Sequence, residues 1–411
     1  VIRVLADETQ VDFVNVSHSA YHGSYTVSTQ MADMAFRLNE FQPLTRAIGK
    51  TLEGIERRPK VMTVCRYQQV AQAEDMIASG GADMVGMARA HIADPEIVRK
   101  AEECREIETN PCIGCNQGCA NFLALNLAIT CLTNPRAGRE AEWQIHDRAQ
   151  SPKQVLVVGG GPAGMEAAAT AAERGHGVTL MERSDRLGGA LNWSAEMPLR
   201  HEFRKLLARQ TARVEASNVT VLLETEAKAD SLPPADAVVW ATGADPVGQP
   251  LRSGGAALTM EAALSDPAAL GDEVLLVDHL GGWSVVSLAE HLADLGKRVT
   301  LLAPSGTPGW TISMYSAFAL RHRLRQKKVR IIGHHALVDH TDGKAILRDL
   351  SIDTETEIPV SAAIAPLAGQ PRDQQRAEAK IPGIQIAVGD CLSARTALEA
   401  VFEGHEAARQ L

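Results

Sequence analysis

Four cysteines in the middle of the chain have a spacing typical of metal sites. They follow the pattern Cys-x2-Cys-x3-Cys-x11-Cys and are Cys112, Cys115, Cys119 and Cys131. Four thiolates this close in sequence can surround a soft metal centre at a small cost in chain entropy, and both zinc and iron–sulfur clusters accept them. The spacing therefore favours a bound metal over free thiols, and it does not identify the metal. A disulfide pair is less expected, because disulfide frameworks are typical of small secreted chains.

A glycine-rich turn is the second candidate site. Gly159, Gly161 and Gly164 lie between a β-branched strand and an alanine-rich helix, with Ala163 beside the third glycine. The first glycine permits a tight turn, the second lets backbone N–H groups approach a pyrophosphate, and the third lets helix and strand pack closely. This context predicts a dinucleotide-binding loop rather than a βα turn without a ligand.

Several residues farther along the chain fit the same nucleotide. The next strand ends at Glu182 and Arg183, where a carboxylate can accept hydrogen bonds from an adenosine ribose. Gly189 lies in the following loop, and Thr242–Gly243 ends a later strand with another glycine turn. Asp390 precedes the last helix, within reach of a ribitol. Together these residues indicate an FAD-type nucleotide fold rather than a plain NAD fold.

A second strand–loop–helix unit, at residues 274–302, lacks the glycines. When the strand ends are aligned, Asp278, Leu280 and Trp283 take the positions of the three glycines. An aspartate repels a pyrophosphate, and a tryptophan blocks the close approach of helix and strand. The following strand ends in Ala303–Pro304, with no acid for a ribose and no arginine for a phosphate. We therefore expect a nicotinamide-type domain that has lost its nucleotide site.

A phosphate seat is predicted near the start of the chain. Arg66 follows one predicted strand, and the next strand ends in Met87, Ala88 and Arg89. Backbone N–H groups and an arginine at the carboxyl ends of neighbouring parallel strands can hold a phosphate. Surface arginines that cap helices are the alternative, and spacing alone does not decide between the two.

Alternating strands and helices must position these residues. Strands at 11–17, 60–65 and 82–87, separated by helical stretches, predict a parallel sheet with helices on its faces. Tyr21 and His22 follow the first of these strands, so they are candidates for substrate chemistry at the carboxyl end of the sheet. The alternation resumes after the cysteines, and the whole chain is predicted to be α/β.

Composition restricts the class of protein. The 411 residues predict two or three domains. A net charge of −9 argues against general nucleic-acid binding, which requires a basic face. No apolar stretch approaches the roughly 20 residues that cross a bilayer, and no signal peptide opens the chain. We therefore expect a cytoplasmic protein without nucleic-acid or membrane partners.

Taken in order, these motifs resemble the iron–sulfur flavoproteins that include trimethylamine dehydrogenase, histamine dehydrogenase and bacterial 2,4-dienoyl-CoA reductase. The match covers essentially the whole chain and is most specific at residues 82–89, 92–95, 111–119 and 131–135. The resemblance implies that the four cysteines hold a 4Fe–4S cluster, and that Arg66 and the Met87-Ala88-Arg89 turn hold FMN. His22 lies near the catalytic histidine of the reductase, in a loop that is one residue longer here.

The resemblance also implies a domain order. Residues 1–105 would be the last strands of a TIM barrel on the FMN side, and residues 106–150 the 4Fe–4S segment and a linker. Residues 151–245 with 371–411 would bind FAD or ADP, and residues 246–370 would form the degenerate NAD-type domain. The family barrel has eight strands, and this chain supplies about three. We therefore expect the N-terminal barrel portion in a longer polypeptide or a companion subunit, and an oligomeric enzyme.

The family divides by the route of its electrons. In the reductase branch, NADPH feeds FAD, then the cluster, then FMN, which reduces an enoyl thioester. In the amine-dehydrogenase branch, FMN takes a hydride from a carbon bonded to nitrogen, and the cluster passes single electrons outward. The degenerate second nucleotide unit favours the latter branch, nearest its dimethylglycine and N-methylproline demethylases.

We therefore expect oxidative demethylation of a methylated amine or N-methyl amino acid, with an electron-transfer flavoprotein or a similar protein as acceptor. The enzyme alternative is an NAD(P)H-dependent 2,4-dienoyl-CoA or enoate reductase, and the non-enzyme alternative is an electron-relay subunit of a split complex. The nucleotide-binding motifs contact the adenosine diphosphate part that FAD and ADP have in common, so they do not decide between the two ligands. Gly188–Gly189 and Asp390 favour FAD.

Overall fold

A computed structural model of the chain describes residues 1–20, 23–143 and 148–411. Tyr21 and His22, the two candidates for substrate chemistry, lie outside the described residues. None of the helices within the described ranges has both the length and the apolar composition needed to cross a membrane.

The chain divides into two compact units. The first comprises Val1–Trp143 and Ser313–Ala319, and the second comprises Gln144–Ile312 and Leu320–Leu411. A short stretch far along the chain thus joins the N-terminal unit, which sequence order alone did not predict.

A three-stranded parallel sheet forms the centre of the first unit. Its strands, in the order β1-β2-β3, are β1 (Phe13–Val16), β2 (Lys60–Thr63) and β3 (Met84–Val85). Its helices are α1 (Ile2–Glu8), α2 (Thr26–Gln30), α3 (Gln42–Thr51), α4 (Val70–Ala78), α5 (Ala88–Ala93), α6 (Ile97–Glu102) and α7 (Phe122–Ala124). Val16, Leu52 and Val61 pack together in its core. Within the described residues β1 and β3 are edge strands, so their outer backbone groups are unpaired.

The second unit contains two parallel sheets linked by antiparallel strands. Its strands are β4 (Gln154–Val158), β5 (Gly177–Met181), β6 (Thr220–Leu222), β7 (Ala237–Trp240), β8 (Ala244–Gly248), β9 (Glu273–Val277), β10 (Arg298–Ala303), β11 (Arg330–Gly333), β12 (His335–Thr341), β13 (Lys344–Asp349), β14 (Thr354–Pro359), β15 (Ala362–Ile364), β16 (Pro366–Pro371) and β17 (Ile384–Ala387). The first sheet has the order β17-β7-β4-β5-β6 and the second the order β11-β10-β9-β15. An antiparallel pair, β8 and β16, connects them, and β12–β14 form a separate antiparallel sheet.

Helices cover these sheets and bury their continuous apolar strands. They are α8 (Pro162–Glu173), α9 (Leu191–Glu196), α10 (Phe203–Ala216), α11 (Met260–Ser265), α12 (Trp283–Asp294), α13 (Met314–Gln326), α14 (Gln374–Glu378) and α15 (Ala397–Arg409). All four residues of β7 are buried, as expected for a central parallel strand with helices on both faces. Alanines of α8 lie in the core of the first sheet, where their small side chains allow close helix packing. The α/β fold predicted from the sequence is confirmed.

Candidate cofactor sites

The four predicted metal-binding cysteines line one cavity in the first unit. This cavity has about 290 Å³ of free space, part of it open to solvent. The residues that line it with Cys112, Cys115, Cys119 and Cys131 are Arg89, Ile92, Ile113, Gly114, Asn116 and Thr133. None of these four cysteines forms a disulfide, so their thiols are available as ligands.

Unusual backbone conformations fold the cysteine segment around this cavity. Gly114 and Asn116 have φ angles of 62° and 57°, in the left-handed region that few residue types adopt. A π-helical turn follows at Gln117–Asn121. A Cβ atom on Gly118 would lie 2.8 Å from the carbonyl oxygen of Thr130, so only glycine lets the two ends of the segment approach.

Asn116 connects the cysteine segment to the barrel-like sheet. Its side chain is buried, and Nδ2 donates a 2.5 Å hydrogen bond to the carbonyl oxygen of Met31. Nη1 of Arg89 donates to Oδ1 of Asn116 at 2.6 Å and to the carbonyl oxygen of Ala32 at 2.9 Å. This role for Asn116 was not predictable from the sequence, because an asparagine between two cysteines has no distinctive spacing.

The thiols are held where their charged forms repel one another. Burial raises the pKa of the Cys115 thiol well above its ordinary value, and the charges of Cys119, Cys131 and Cys112 raise it further. Burial also raises the pKa of Cys131 to about 11, against a hydrogen bond from Thr133. Four thiolates are stable here only if cations offset their charge, as a bound metal centre does.

The four thiols have the donor chemistry that an iron–sulfur cluster requires, because Cys thiolates hold its irons. They line one cavity, so the residue types present fit such a group. Among the described residues, no group of three or more His, Cys, Asp or Glu side chains is arranged to hold a metal ion.

A distant part of the chain packs against one of these cysteines. Tyr315 and Phe318, at the start of α13, share an apolar cluster with Cys119, Ala120 and Val27. Sequence reasoning missed these aromatic residues because they lie almost two hundred positions beyond the cysteines, and no short motif joins them.

The predicted phosphate-binding arginines meet at one turn. Arg66 is buried in a left-handed conformation, with φ of 60°, and its Nη1 donates to the carbonyl oxygen of Asp33 at 2.6 Å. Arg89 donates to the preceding carbonyl, that of Ala32. Met87 directly precedes α5 and Ala88 begins it. The structure therefore brings the two arginines together beside the cysteine cavity, and their phosphate role stays a prediction.

Three buried polar atoms follow the first strand of the sheet. His18 Nε2, Gln30 Oε1 and Asp33 Oδ2 have no hydrogen-bond partner among the described residues. Each belongs to the long connection after β1, which begins at the carboxyl end of the sheet. Buried polar groups are almost always satisfied, so these atoms fit a polar ligand such as a flavin at this end. Burial lowers the pKa of His18 and favours its neutral form.

The glycine-rich turn of the second unit has the geometry of a dinucleotide loop. Gly159 has a φ of 105°, and a Cβ there would lie 2.3 Å from the carbonyl oxygen of Ala241. A Cβ on Gly164 would lie 1.9 Å from the carbonyl oxygen of Gly159. A Cβ on Gly161, in contrast, would meet no atom within 4 Å. The first and third glycines are therefore required by packing, whereas the second faces open space at the start of α8.

Glu182 reaches the same loop. Its Oε2 accepts the N–H of Gly160 at 2.7 Å, and its Oε1 accepts the N–H of Ser184 at 2.8 Å. A Cβ on Gly189 would lie 3.1 Å from Cα of Gly161, so the predicted loop residues are neighbours. Arg183 is exposed.

The predicted residues after β7 and β17 are also brought together. Thr242 Oγ1 donates to the carbonyl oxygen of Arg372 at 2.6 Å and lies 3.1 Å from Sγ of Cys391. Asp390 directly precedes this cysteine, and its Oδ1 accepts the N–H of Arg395 at 3.1 Å. Burial raises the pKa of Asp390. Gly243 has a φ of 75°, which favours glycine in this turn.

The loop of the second nucleotide unit differs in length from the predicted alignment. Helix α12 begins at Trp283 with Gly282 before it, whereas α8 begins at Pro162 with Gly161 before it. Because this loop is two residues longer than that after β4, Trp283 does not take the position of the third glycine. Counted from the helix start, that position is held by Val285.

An internal carboxylate binds one N–H group of this loop and one of a later segment. Asp278 is buried, and its two oxygens accept the N–H groups of Gly281 at 2.8 Å and Gly309 at 2.7 Å. Burial raises the pKa of Asp278. Thr311 donates its N–H and its hydroxyl to the carbonyl oxygen of Gly281, and the Trp310 ring covers that glycine. The segment after β10 thus covers the loop that would bind a pyrophosphate.

Comparison with protein families matches two separate segments of the chain. Residues 2–108 match the NADH:flavin oxidoreductase / NADH oxidase family, and residues 140–265 match the pyridine nucleotide-disulphide oxidoreductases. Both are oxidoreductase families, so the predicted family resemblance is confirmed.

Two curated relatives differ in the reactions for which they are named. The chain is 39% identical over 245 residues to a probable N-methylproline demethylase of Rhizobium meliloti (strain 1021). The aligned stretch covers 58% of this chain and 36% of that protein. The chain is also 39% identical over 255 residues to an NADH oxidase of Thermoanaerobacter brockii, covering 59% and 38% respectively. The matched stretches therefore span little more than a third of these relatives.

A solved structure matches the whole chain. A 2-naphthoyl-CoA reductase in complex with 2-naphthoyl-CoA superimposes with a TM-score of 0.89 at 25% identity, over 100% of this chain and 62% of that one. The chain therefore has the fold of about three fifths of that reductase chain.

Proposed function

Because the chain joins a segment of the NADH:flavin oxidoreductase / NADH oxidase family to a pyridine nucleotide-disulphide oxidoreductase segment, we propose that it is part of an iron–sulfur flavoprotein dehydrogenase. Its reaction is the oxidative demethylation of a methylated amine or N-methyl amino acid. The N-methylproline demethylase relative supports the substrate class. The observation that favours this reaction over NAD(P)H-dependent reduction is the Asp278 carboxylate, which binds the N–H of Gly281 in the second nucleotide loop and the N–H of Gly309 in the segment that covers it.

We assign the cofactors to the geometry described above. FMN would lie at the carboxyl ends of β1–β3, near Arg66, Arg89 and the orphaned polar atoms. The four cysteines would hold a 4Fe–4S cluster, and the Gly159–Gly164 loop with Glu182 would bind FAD or ADP. We propose the same domain boundaries as the sequence predicts: the partial barrel at 1–105, the cluster segment at 106–150, the FAD or ADP domain at 151–245 with 371–411, and the degenerate NAD-type domain at 246–370.

The reaction removes a hydride from an N-methyl carbon. FMN would supply the hydride acceptor, and a cluster at the four cysteines would supply a route for single electrons to an external protein such as an electron-transfer flavoprotein. Loss of the hydride leaves an iminium, and addition of water releases formaldehyde, the demethylated amine and a proton. The protein must hold the methyl carbon near the flavin and keep the amine unprotonated. His22 and Tyr21 remain the proposed residues for this task.

The barrel needs further strands, which we propose come from a longer polypeptide or a companion subunit. β1 is an edge strand within the described residues, and Phe13 on it is 56% exposed. An apolar cavity lies beside it, lined by Ile2, Leu5, Ala6, Val11, Phe13, Val14 and Pro59. An edge of this kind is normally covered by neighbouring elements.

The second candidate function is an NAD(P)H-dependent enoate reductase. The NADH oxidase relative and the 2-naphthoyl-CoA reductase structure favour it. Anaerobic titration of the holoenzyme distinguishes the two. N,N-dimethylglycine, sarcosine or N-methylproline should bleach the flavin, and NADH and NADPH should not. Rapid bleaching by NADPH with none by the amines would reverse the assignment.

Chromatography of the released flavin identifies the cofactor of the glycine-rich loop. FMN without FAD would mean that ADP or nothing binds there.

A further inference from the structure

Thr133 places a hydroxyl beside the last cysteine of the cavity. Its Oγ1 lies 3.3 Å from Sγ of Cys131, within hydrogen-bond distance, and its backbone N–H donates to the same sulfur. Thr133 is only 8% exposed and lines the cavity. Within the described residues, this sulfur is the one hydrogen-bond partner of the hydroxyl. Buried polar groups are rarely left without a partner, so the contact with Cys131 orients the hydroxyl.

A closed turn holds this hydroxyl in place. The N–H of Asn134 donates to the carbonyl oxygen of Cys131 at 3.3 Å, and Leu132 within the turn is fully buried. Nδ2 of Asn134 donates to the carbonyl oxygen of Ile92 at 3.1 Å. Branching at Cβ also restricts the rotation of the Thr133 side chain. The protein itself therefore fixes the hydroxyl relative to the sulfur.

The other three cysteines of the cavity lack such a neighbour. In the part of the chain that the structure describes, no side chain donates a hydrogen bond to the sulfur of Cys112, Cys115 or Cys119. The hydroxyl of Thr133 therefore acts on one ligand of the four. Hydrogen bonds to the sulfur ligands are among the features that set the reduction potential of an iron–sulfur cluster.

We propose that Thr133 raises the reduction potential of a cluster held by the four cysteines, through the hydrogen bond from its hydroxyl to Cys131. This inference rests on the proposed function, because it requires an iron–sulfur cluster in the cavity. A metal-bound cysteine is a thiolate without a proton, so the hydroxyl is the donor. Reduction adds one electron and increases the negative charge on the sulfur ligands, so the donor stabilises the reduced form more than the oxidised form.

This effect bears on the route of electrons in the proposed reaction. The two electrons removed with the hydride leave the flavin one at a time through the four-cysteine site. A raised potential at this site favours each transfer from the flavin and leaves less driving force for the transfer to the external acceptor. Thr133 is thus a positioning residue, which acts through Cys131 and not on the substrate.

Valine substitutions at two buried threonines test the assignment. T133V keeps the size of the side chain and removes the donor to Cys131, whereas T133S keeps the donor. T130V is the matched control, because Thr130 is 6% exposed and its hydroxyl accepts a 3.4 Å hydrogen bond from Arg139 instead of contacting a cysteine. The readouts on the holoenzyme are iron and acid-labile sulfide content and the midpoint potential, titrated with dithionite and followed by the EPR signal of the reduced cluster.

T133V should bind iron at the wild-type level, and its one-electron reduction should be less favourable by about tenfold, a midpoint lower by about 59 mV. T133S and T130V should keep the wild-type potential. An unchanged potential in T133V overturns the proposal, as does an equal shift in T130V.

A loss of iron in T133V would transfer the titration to T133A, which also lacks the hydroxyl and leaves more room. Loss of iron in both variants would assign the hydroxyl to cluster assembly and would also overturn the proposal. Zinc, or no metal, in the wild type would instead overturn the proposed function.

Discussion

Arg89 and Asn116 join the sheet to the cysteine segment through one short hydrogen bond, 2.6 Å from Nη1 to Oδ1. Asn116 lies between the second and third cysteines and is buried in the left-handed conformation. Arg89 lies at the start of α5, in the turn predicted to bind the flavin phosphate. The proposed flavin and cluster sites therefore share this polar contact, which limits how far they can move relative to one another.

Replacement of Asn116 by alanine should reduce the iron and acid-labile sulfide bound per chain by more than half. The substitution removes the acceptor for Arg89 and the donor to Met31, and it leaves a left-handed residue without the asparagine preference. Iron and sulfide assays and the visible spectrum measure the loss.

Asn126 provides the matched control, because it has the same φ of 57° and lies outside the cavity lining. N126A should keep wild-type iron content. Equal losses in N116A and N126A would show that backbone strain alone is responsible and would contradict the anchoring role.

Replacement of any cavity cysteine by serine should remove the cluster, because a hard hydroxyl is a poor substitute for a soft thiolate. C112S, C115S, C119S and C131S should each lose the brown colour and the bound iron. Cys104, which is exposed and outside the cavity lining, is the control, and C104S should retain both. Elemental analysis that finds zinc in the wild type would contradict the assignment.

Much of the fold followed from local patterns, whereas the contacts that tie the sites together did not. The strand at β4 and the turn at Gly159 were predictable, since apolar runs and glycine spacing act within a few residues. The helical stretch predicted between the first two strands is interrupted before α3 begins at Gln42, because Asp33 and its neighbours form turns at the carboxyl end of the sheet. Such turns depend on partners distant in sequence, as does the packing of Tyr315 on the cysteine segment.

The two-residue error in the second nucleotide loop has the same origin. The end of the strand before Asp278 was predicted correctly. The start of α12 at Trp283 was not, because the spacing of apolar residues does not indicate the length of the loop between them. The hydrogen bond from Gly309 to Asp278 joins residues 31 positions apart, so only the folded chain shows that the carboxylate has an internal partner.

Alanine substitutions at two glycines of the dinucleotide loop should differ in how much they destabilise the fold. In G164A the new methyl group would lie 1.9 Å from the carbonyl oxygen of Gly159, so the helix must shift, at a cost of about 1–3 kcal/mol. In G161A the methyl group meets no protein atom within 4 Å, and its φ of −73° suits alanine. Thermal unfolding should therefore separate the two variants.

Both variants should lose the bound nucleotide, because the methyl group of G161A fills the space through which a pyrophosphate approaches. Chromatography of the adenine nucleotide released by acid measures this loss. A G161A protein that retains a full complement of FAD or ADP would show that the nucleotide binds elsewhere.

The buried carboxylate of Glu166 should make the nucleotide domain sensitive to acid. Burial acts to raise its pKa, but Arg213 at 2.7 Å and His405 at 3.0 Å outweigh burial and hold the pKa below its ordinary value of 4.5. A depressed pKa contributes stability above the unfolded value and loses it as the pH falls. E166Q should therefore cost about 3 kcal/mol at neutral pH, with the difference from wild type narrowing below pH 4.5.

Glu173 offers the control, because it also pairs with Arg213, at 2.9 Å, from an exposed position. E173Q should change the free energy of unfolding by less than about 1 kcal/mol. Urea unfolding curves between acid and neutral pH provide the measurement. A gap between E166Q and wild type that does not change with pH would contradict the ionised pair.

Pyridine nucleotides should bind weakly to the second nucleotide unit, and Asp278 should be needed for its stability. D278A leaves the buried N–H groups of Gly281 and Gly309 without their acceptor, at a cost of about 1–3 kcal/mol for each unsatisfied group. D278N keeps one acceptor oxygen and should be less destabilised.

Calorimetric titration of the wild type with NADPH should give no saturable heat in the micromolar range, because the carboxylate repels a pyrophosphate and its loop is covered by Trp310. Micromolar binding that D278N leaves unchanged would place the nucleotide away from this loop and restore the reductase as the favoured function.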